Sequence, residues 1–97
     1  MKTKYIENLI IHTFSKKPNV QEIYALELPH TSSKEYWLIV DDVYSTEAAQ
    51  CYEEYFDLLS QADGYFELRL LTPKELQSAM YLQPRKIWKQ KEKRTKE

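Results

Sequence analysis

The sequence predicts a small α+β fold: packed helices on a mixed sheet of three or four strands, in the order α-β-β-α-β-α. Three observations carry this. Tyr36-Trp37-Leu38-Ile39-Val40 is a continuous apolar run, the pattern of a strand covered on both faces. An amphipathic helix and then an alternating strand follow it, and strand–helix–strand implies a right-handed crossover with parallel pairing. A further helical segment lies on each side of this unit.

The first helix is read over residues 3–15, with Ile6, Leu9, Ile10 and Thr13/Phe14 at helical spacing. Lys16-Lys17 suit the negative end of that helix, and Pro18 stops it. Val20 to Leu28 contains no breaker, reads as a strand and ends at Pro29. A polar loop over 29–35 leads into the Tyr36–Val40 strand, and strands so close in sequence pair most simply as an antiparallel hairpin.

Ser45 is an N-cap with Glu47 in the favoured first turn. Ala48, Tyr52, Tyr55/Phe56, Leu59 and Ala62 repeat behind it at threes and fours. The helix is read to end at Asp63-Gly64, with the glycine in a left-handed cap. Tyr65–Leu71 alternates through Phe66, Leu68 and Leu70 as a third strand. Thr72-Pro73 then opens a helix from Lys74 to about Leu82 that meets Pro84. Lys86-Ile87-Trp88-Lys89 fits either a short edge strand or a last helical turn. Beyond Gln90 no apolar residue occurs. Residues 1–90 are therefore read as one domain and 91–97 as a disordered basic tail.

Charge is divided along the chain. The net value of −1 combines −6 over the first 84 residues with +5 from Arg85 to the end. A basic arm of this kind keeps a protein soluble or meets nucleic acid or an acidic partner, and only Trp88 is placed to stack on a base. No run of about 18 apolar residues exists to span a bilayer. Glu7 and Asn8 interrupt the N-terminal stretch where a secretory signal needs apolar residues. Cys51 is the lone cysteine, so neither an intramolecular disulfide nor a multi-cysteine metal site can form. The expected compartment is cytoplasmic, with no membrane contact.

Gly64 is the only glycine. A P-loop or a dinucleotide fingerprint needs several, because bare backbone N–H groups must approach the phosphates, so no nucleotide cofactor is expected. His12, His30 and Cys51 lack the spacing of a Cys–His nucleophile, and Ser32-Ser33 match no nucleophile elbow. Asp41-Asp42 at the end of the second strand, joined by Glu67 from the third, form the candidate metal set. Adjacent strand residues point to opposite faces, which suits a shared Mg²⁺ poorly.

Eight tyrosines are too many for the interior of so small a domain. Four or five are read as sheet residues. The remainder, with the two tryptophans, nominate a protein-binding surface of Tyr36, Trp37, Tyr44, Tyr65 and Trp88.

From Lys17-Pro18-Asn19-Val20-Gln21-Glu22-Ile23-Tyr24 through Tyr36–Asp41 to Phe66-Glu67-Leu68-Arg69-Leu70, the chain resembles the C-terminal domain of the SseB (enhanced serine sensitivity) family over residues 4–75. That resemblance implies a small α/β domain without a defined reaction. The order of elements also resembles the minimal nucleotidyltransferase fold, with Phe66–Leu76 as its third strand and turn and Glu67 in place of the third carboxylate. There the Gly-Ser motif is replaced by Ala25-Leu26-Glu27 and the Asp-x-Asp by Tyr36-Trp37-Leu38, which implies lost transferase chemistry. The expectation is a non-enzymatic protein-interaction domain, self-association being its simplest form. The alternatives are a divergent metal-dependent enzyme using Asp41, Asp42 and Glu67, and weak nucleic-acid binding by the basic tail.

Overall fold

The computed structural model describes residues 2–27, 34–62 and 64–91. Helix α1 (Lys2–Phe14) is followed by strands β1 (Glu22–Glu27) and β2 (Lys34–Ile39), then helix α2 (Thr46–Gln61) and strand β3 (Glu67–Leu71). Helix α3 (Pro73–Ala79), a 3₁₀ turn (Met80–Leu82) and strand β4 (Arg85–Lys89) follow. The predicted order holds, and the undecided last element is a strand.

The four strands form one mixed sheet in the order β3-β2-β1-β4. β1 pairs antiparallel with β2 and with β4, while β2 and β3 run parallel. β4 ends where the Gln90 N–H donates to the Gln21 carbonyl at 2.8 Å. Its register with β1 shifts between Ile23 (opposite Trp88) and Tyr24 (opposite Lys86). Ile87 is the extra residue of that bulge, so Ile87 and Trp88 both pack against the same core.

Strand side chains alternate between two faces of unequal size. On the first, Ile23, Ala25, Tyr36, Leu38, Leu68 and Leu70 meet Ile6, Ile10 and Phe14 of α1 and Ala48, Cys51, Tyr55 and Leu58 of α2. On the second, Tyr24, Leu26, Trp37 and Ile39 meet only Leu76 among buried partners, with Leu71 and Ala79 alongside. β2 is therefore covered on both sides, as its unbroken apolar run requires.

Local signals fix the helix starts. Ser45 Oγ accepts from the Ala48 N–H at 3.1 Å. Thr72 and Glu75 form a reciprocal capping box, with Pro73 in the first turn. Two helix readings need correction. The buried stripe of α2 is Ala48, Cys51, Tyr55 and Leu58, turned from the expected one so that Tyr52 and Phe56 lie outside. Its C-cap is Ala62, whose N–H donates to Leu58 O, and not Gly64. Gly64 has φ +148° two residues later, in backbone space an L side chain rarely adopts. It makes the turn into β3 and caps nothing.

No helix among the described residues is long and apolar enough to cross a membrane. Most of the 29–35 loop and residues 92–97 of the tail lie outside the described residues.

Candidate interaction surface

The outward side of α2 follows from the stripe that is buried. With Ala48, Cys51, Tyr55 and Leu58 inward, Glu53, Phe56, Asp57 and Ser60 point to solvent, and Tyr52 joins Phe56 one turn earlier. Phe56 and Tyr65 are each 64% exposed and Tyr52 38%. A chain of rings supports this patch from beneath. Phe66, fully buried, meets Tyr36 edge-on at 5.9 Å and Tyr55 edge-on at 5.4 Å. Tyr55 in turn lies 5.4 Å from Phe56.

Tyr55 is fixed by its hydroxyl, which donates to the Phe66 carbonyl at 2.7 Å. Burial, and then the Tyr65 hydroxyl hydrogen-bonding beside it, push its phenol above the ordinary value. Phe56 is thus an exposed ring on a rigid base, which lowers the ordering cost of using it as an anchor.

The electrostatics of this helix are one-sided. α2 carries Glu47, Glu53, Glu54 and Asp57 and no lysine or arginine. Glu47 sits in the first turn, where the helix dipole favours it, and Glu54 pairs with Lys17. Glu53 and Asp57 are like charges at i, i+4, an arrangement that costs an isolated helix about 0.2–0.5 kcal/mol. Both lie on the solvent side of the helix, so α2 presents a one-sided negative charge around Phe56.

The nominated surface residues do not come together. Tyr44 is 93% exposed in the turn before α2, and Tyr65 is 64% exposed in the segment before β3. Trp88 is half-buried on β4, at the opposite edge of the sheet from β3. Tyr36 and Trp37 are corrected: at 1% and 3% exposure they are core, one on each face of β2. The tyrosine count is corrected too, since only Tyr24 and Tyr36 of the eight lie in strands. Phe56, the best-exposed ring of the patch together with Tyr65, was absent from the nominated set.

The carboxylate set is separated by the sheet itself. In the parallel register Glu67 stands opposite Glu35 at the start of β2, whereas Asp41 follows the end of that strand. Six residues at about 3.3 Å each put them about 20 Å apart. Asp41 instead accepts from the Gln21 side-chain amide. Asp42 organises the turn into α2, accepting from the Tyr44 N–H at 2.9 Å through Oδ1 and from Ser45 Oγ at 3.0 Å through its carbonyl. Among the described residues no group of three or more histidines, cysteines or carboxylates could hold a metal ion. Cys51 is buried, its thiol pushed up by burial, and His12 is exposed beside Lys16. His30 lies outside the described residues.

The second face carries a different feature. A cleft of about 330 Å³ opens between the sheet and the 3₁₀ turn, lined by Leu26, Glu35, Trp37, Arg69, Leu71, Ala79 and Leu82. Its polar groups satisfy one another: Glu35 accepts from the Trp37 indole N–H at 3.0 Å and pairs with Arg69. The three residues of that turn, Met80, Tyr81 and Leu82, are all exposed.

No protein-family model, curated protein or solved structure matches this chain.

Proposed function

We propose that this chain is a non-enzymatic protein-interaction domain that works through the aromatic face of α2, with self-association as its simplest form. One observation carries the reading: Tyr52 and Phe56 are exposed one turn apart on α2, Phe56 against a buried ring stack, with Tyr65 exposed in the segment that follows the helix. Clustered aromatics on a rigid base are what binding surfaces use as anchors. The SseB-like resemblance, which implies no defined reaction, agrees with it.

Light scattering on a size-exclusion column, over a wide concentration range, tests the reading. The wild-type chain should show a mass that rises with concentration, and Phe56→Ser with Tyr65→Ser should remain monomeric. Both sites are exposed, and far-UV circular dichroism checks that the double variant is folded before its mass is read. A wild-type chain that stays monomeric at the highest concentration removes self-association.

A further inference from the structure

We propose that the acidic, aromatic face of α2 on one copy docks against the basic edge strand β4 of a second copy. The proposal rests on the self-association reading above and names the surface that the α2 face meets.

Charge complementarity within the chain carries it. α2 holds four acidic and no basic side chains, and Glu53 and Asp57 have no recorded ion pair among the described residues. The basic excess lies from Arg85 onward, where the net charge is +5. Part of it is neutralised internally: Arg85 pairs with Glu7 and Glu27, and Lys86 pairs with Glu22. Lys89 and Lys91 are exposed and have no recorded ion pair among the described residues. Both signs thus leave charges that the isolated fold does not use.

The chemistry of the two surfaces fits. Among the described residues β4 has β1 as its only strand neighbour, so its outer edge faces away from the sheet. Lys89 at the end of β4 and Lys91 two residues beyond it complement carboxylates and also the faces of exposed rings, which attract cations. Glu53 and Asp57 flank Phe56 on the outward side of α2, so one lysine-bearing strand can meet both kinds of group. Lys86 already lies 5.8 Å from the Tyr24 ring centroid inside one copy, the same pairing in cis.

Charge-reversal complementation on the full chain tests this. Glu53→Lys/Asp57→Lys puts two positive charges beside Phe56 on α2, and Lys89→Glu/Lys91→Glu turns the two lysines at the end of β4 into carboxylates. Far-UV circular dichroism first confirms that each double variant is folded, and sedimentation velocity then reads association. Each variant alone should be monomeric, because its altered surface meets one of like charge. An equimolar mixture should associate, because both contacts become complementary again. Wild-type association should weaken about tenfold or more as salt rises from about 0.1 M to about 1 M, where the Debye length falls from about 10 Å to about 3 Å.

A mixture that stays monomeric under conditions where the wild-type chain associates overturns the proposal. Wild-type association indifferent to salt overturns it too. If both charge variants still self-associate while Phe56→Ser does not, the aromatic reading stands and the α2–β4 pairing falls. A wild-type chain monomeric at all salts removes both.

Discussion

The two faces of the sheet are built from the same strands and protected very differently. On the first, two helices of 13 and 16 residues lay long apolar stripes over six strand side chains. On the second, a helix of 7 residues contributes Leu76 and Ala79, and a cleft remains beside it. The difference lies in the crossovers. The β2–α2–β3 connection places a full helix over the strands it joins, whereas α3 only bridges β3 at one edge to β4 at the other. Stability should therefore concentrate on the first face.

The largest test of that contrast is a matched pair of truncations followed by urea denaturation. Phe14 is fully buried in the first core, and Phe14→Ala should cost about 3–5 kcal/mol. Leu76 is the sole buried residue of α3, and Leu76→Ala should cost about 2 kcal/mol, the low end for leucine, because its site opens toward the cleft and can relax. Equal costs would mean that the second face is as tightly determined as the first.

Each face also buries a strand tyrosine, and alkaline pH separates them. Burial first, then Glu7 and Glu27, push the Tyr36 phenol from 10.0 up to about 12. Between those values the unfolded chain ionises while the folded one holds its proton. The stabilisation is complete below pH 10 and is lost as pH rises through about 12, amounting to about 2–3 kcal/mol. Burial and then Glu22 also raise Tyr24, but Lys86 opposes that shift both by its charge and by a hydrogen bond, whereas Arg85 opposes the Tyr36 shift by its charge alone, so the second face should contribute less. Stability measured against pH should fall above pH 10, and Tyr36→Phe should flatten the curve more than Tyr24→Phe. The reverse order would place the stronger proton linkage on the second face.

The helix boundaries were legible because their signals are local. Ser45, Thr72-Pro73 and Pro18 mark helix ends through chemistry within four residues, and the structure shows the Ser45 and Thr72 caps they predict. β4 was not legible, because whether Arg85–Lys89 extends depends on pairing with β1 some 60 residues earlier. The site fared worse for a related reason. A run covered on both faces already puts Tyr36 and Trp37 inside, so counting aromatics pointed the wrong way there. On α2 the stripes through Cys51 and through Tyr52 have the same spacing, and periodicity alone cannot choose between them. The preference of free cysteine for the interior is the one sequence signal that turns Tyr52 and Phe56 outward.

The smallest expected effect concerns how the thin cover of the second face is held. The 3₁₀ turn ends at Gln83 with φ 58° and ψ 54°, and the next residue is Pro84. A left-handed conformation costs a residue with a Cβ about 1–2 kcal/mol, and a following proline restricts it further. Glycine removes the Cβ penalty but gives back part of the gain by loosening the unfolded chain. Gln83→Gly should therefore raise stability by about 0.5–1 kcal/mol in urea melts, whereas Gln83→Val, β-branched at positive φ, should lower it. A gain from glycine would show that the turn closing the second face is strained in the native chain. A loss would mean that the Gln83 side chain supplies contacts worth more than the strain, and the weaker face would then owe part of its cover to that residue.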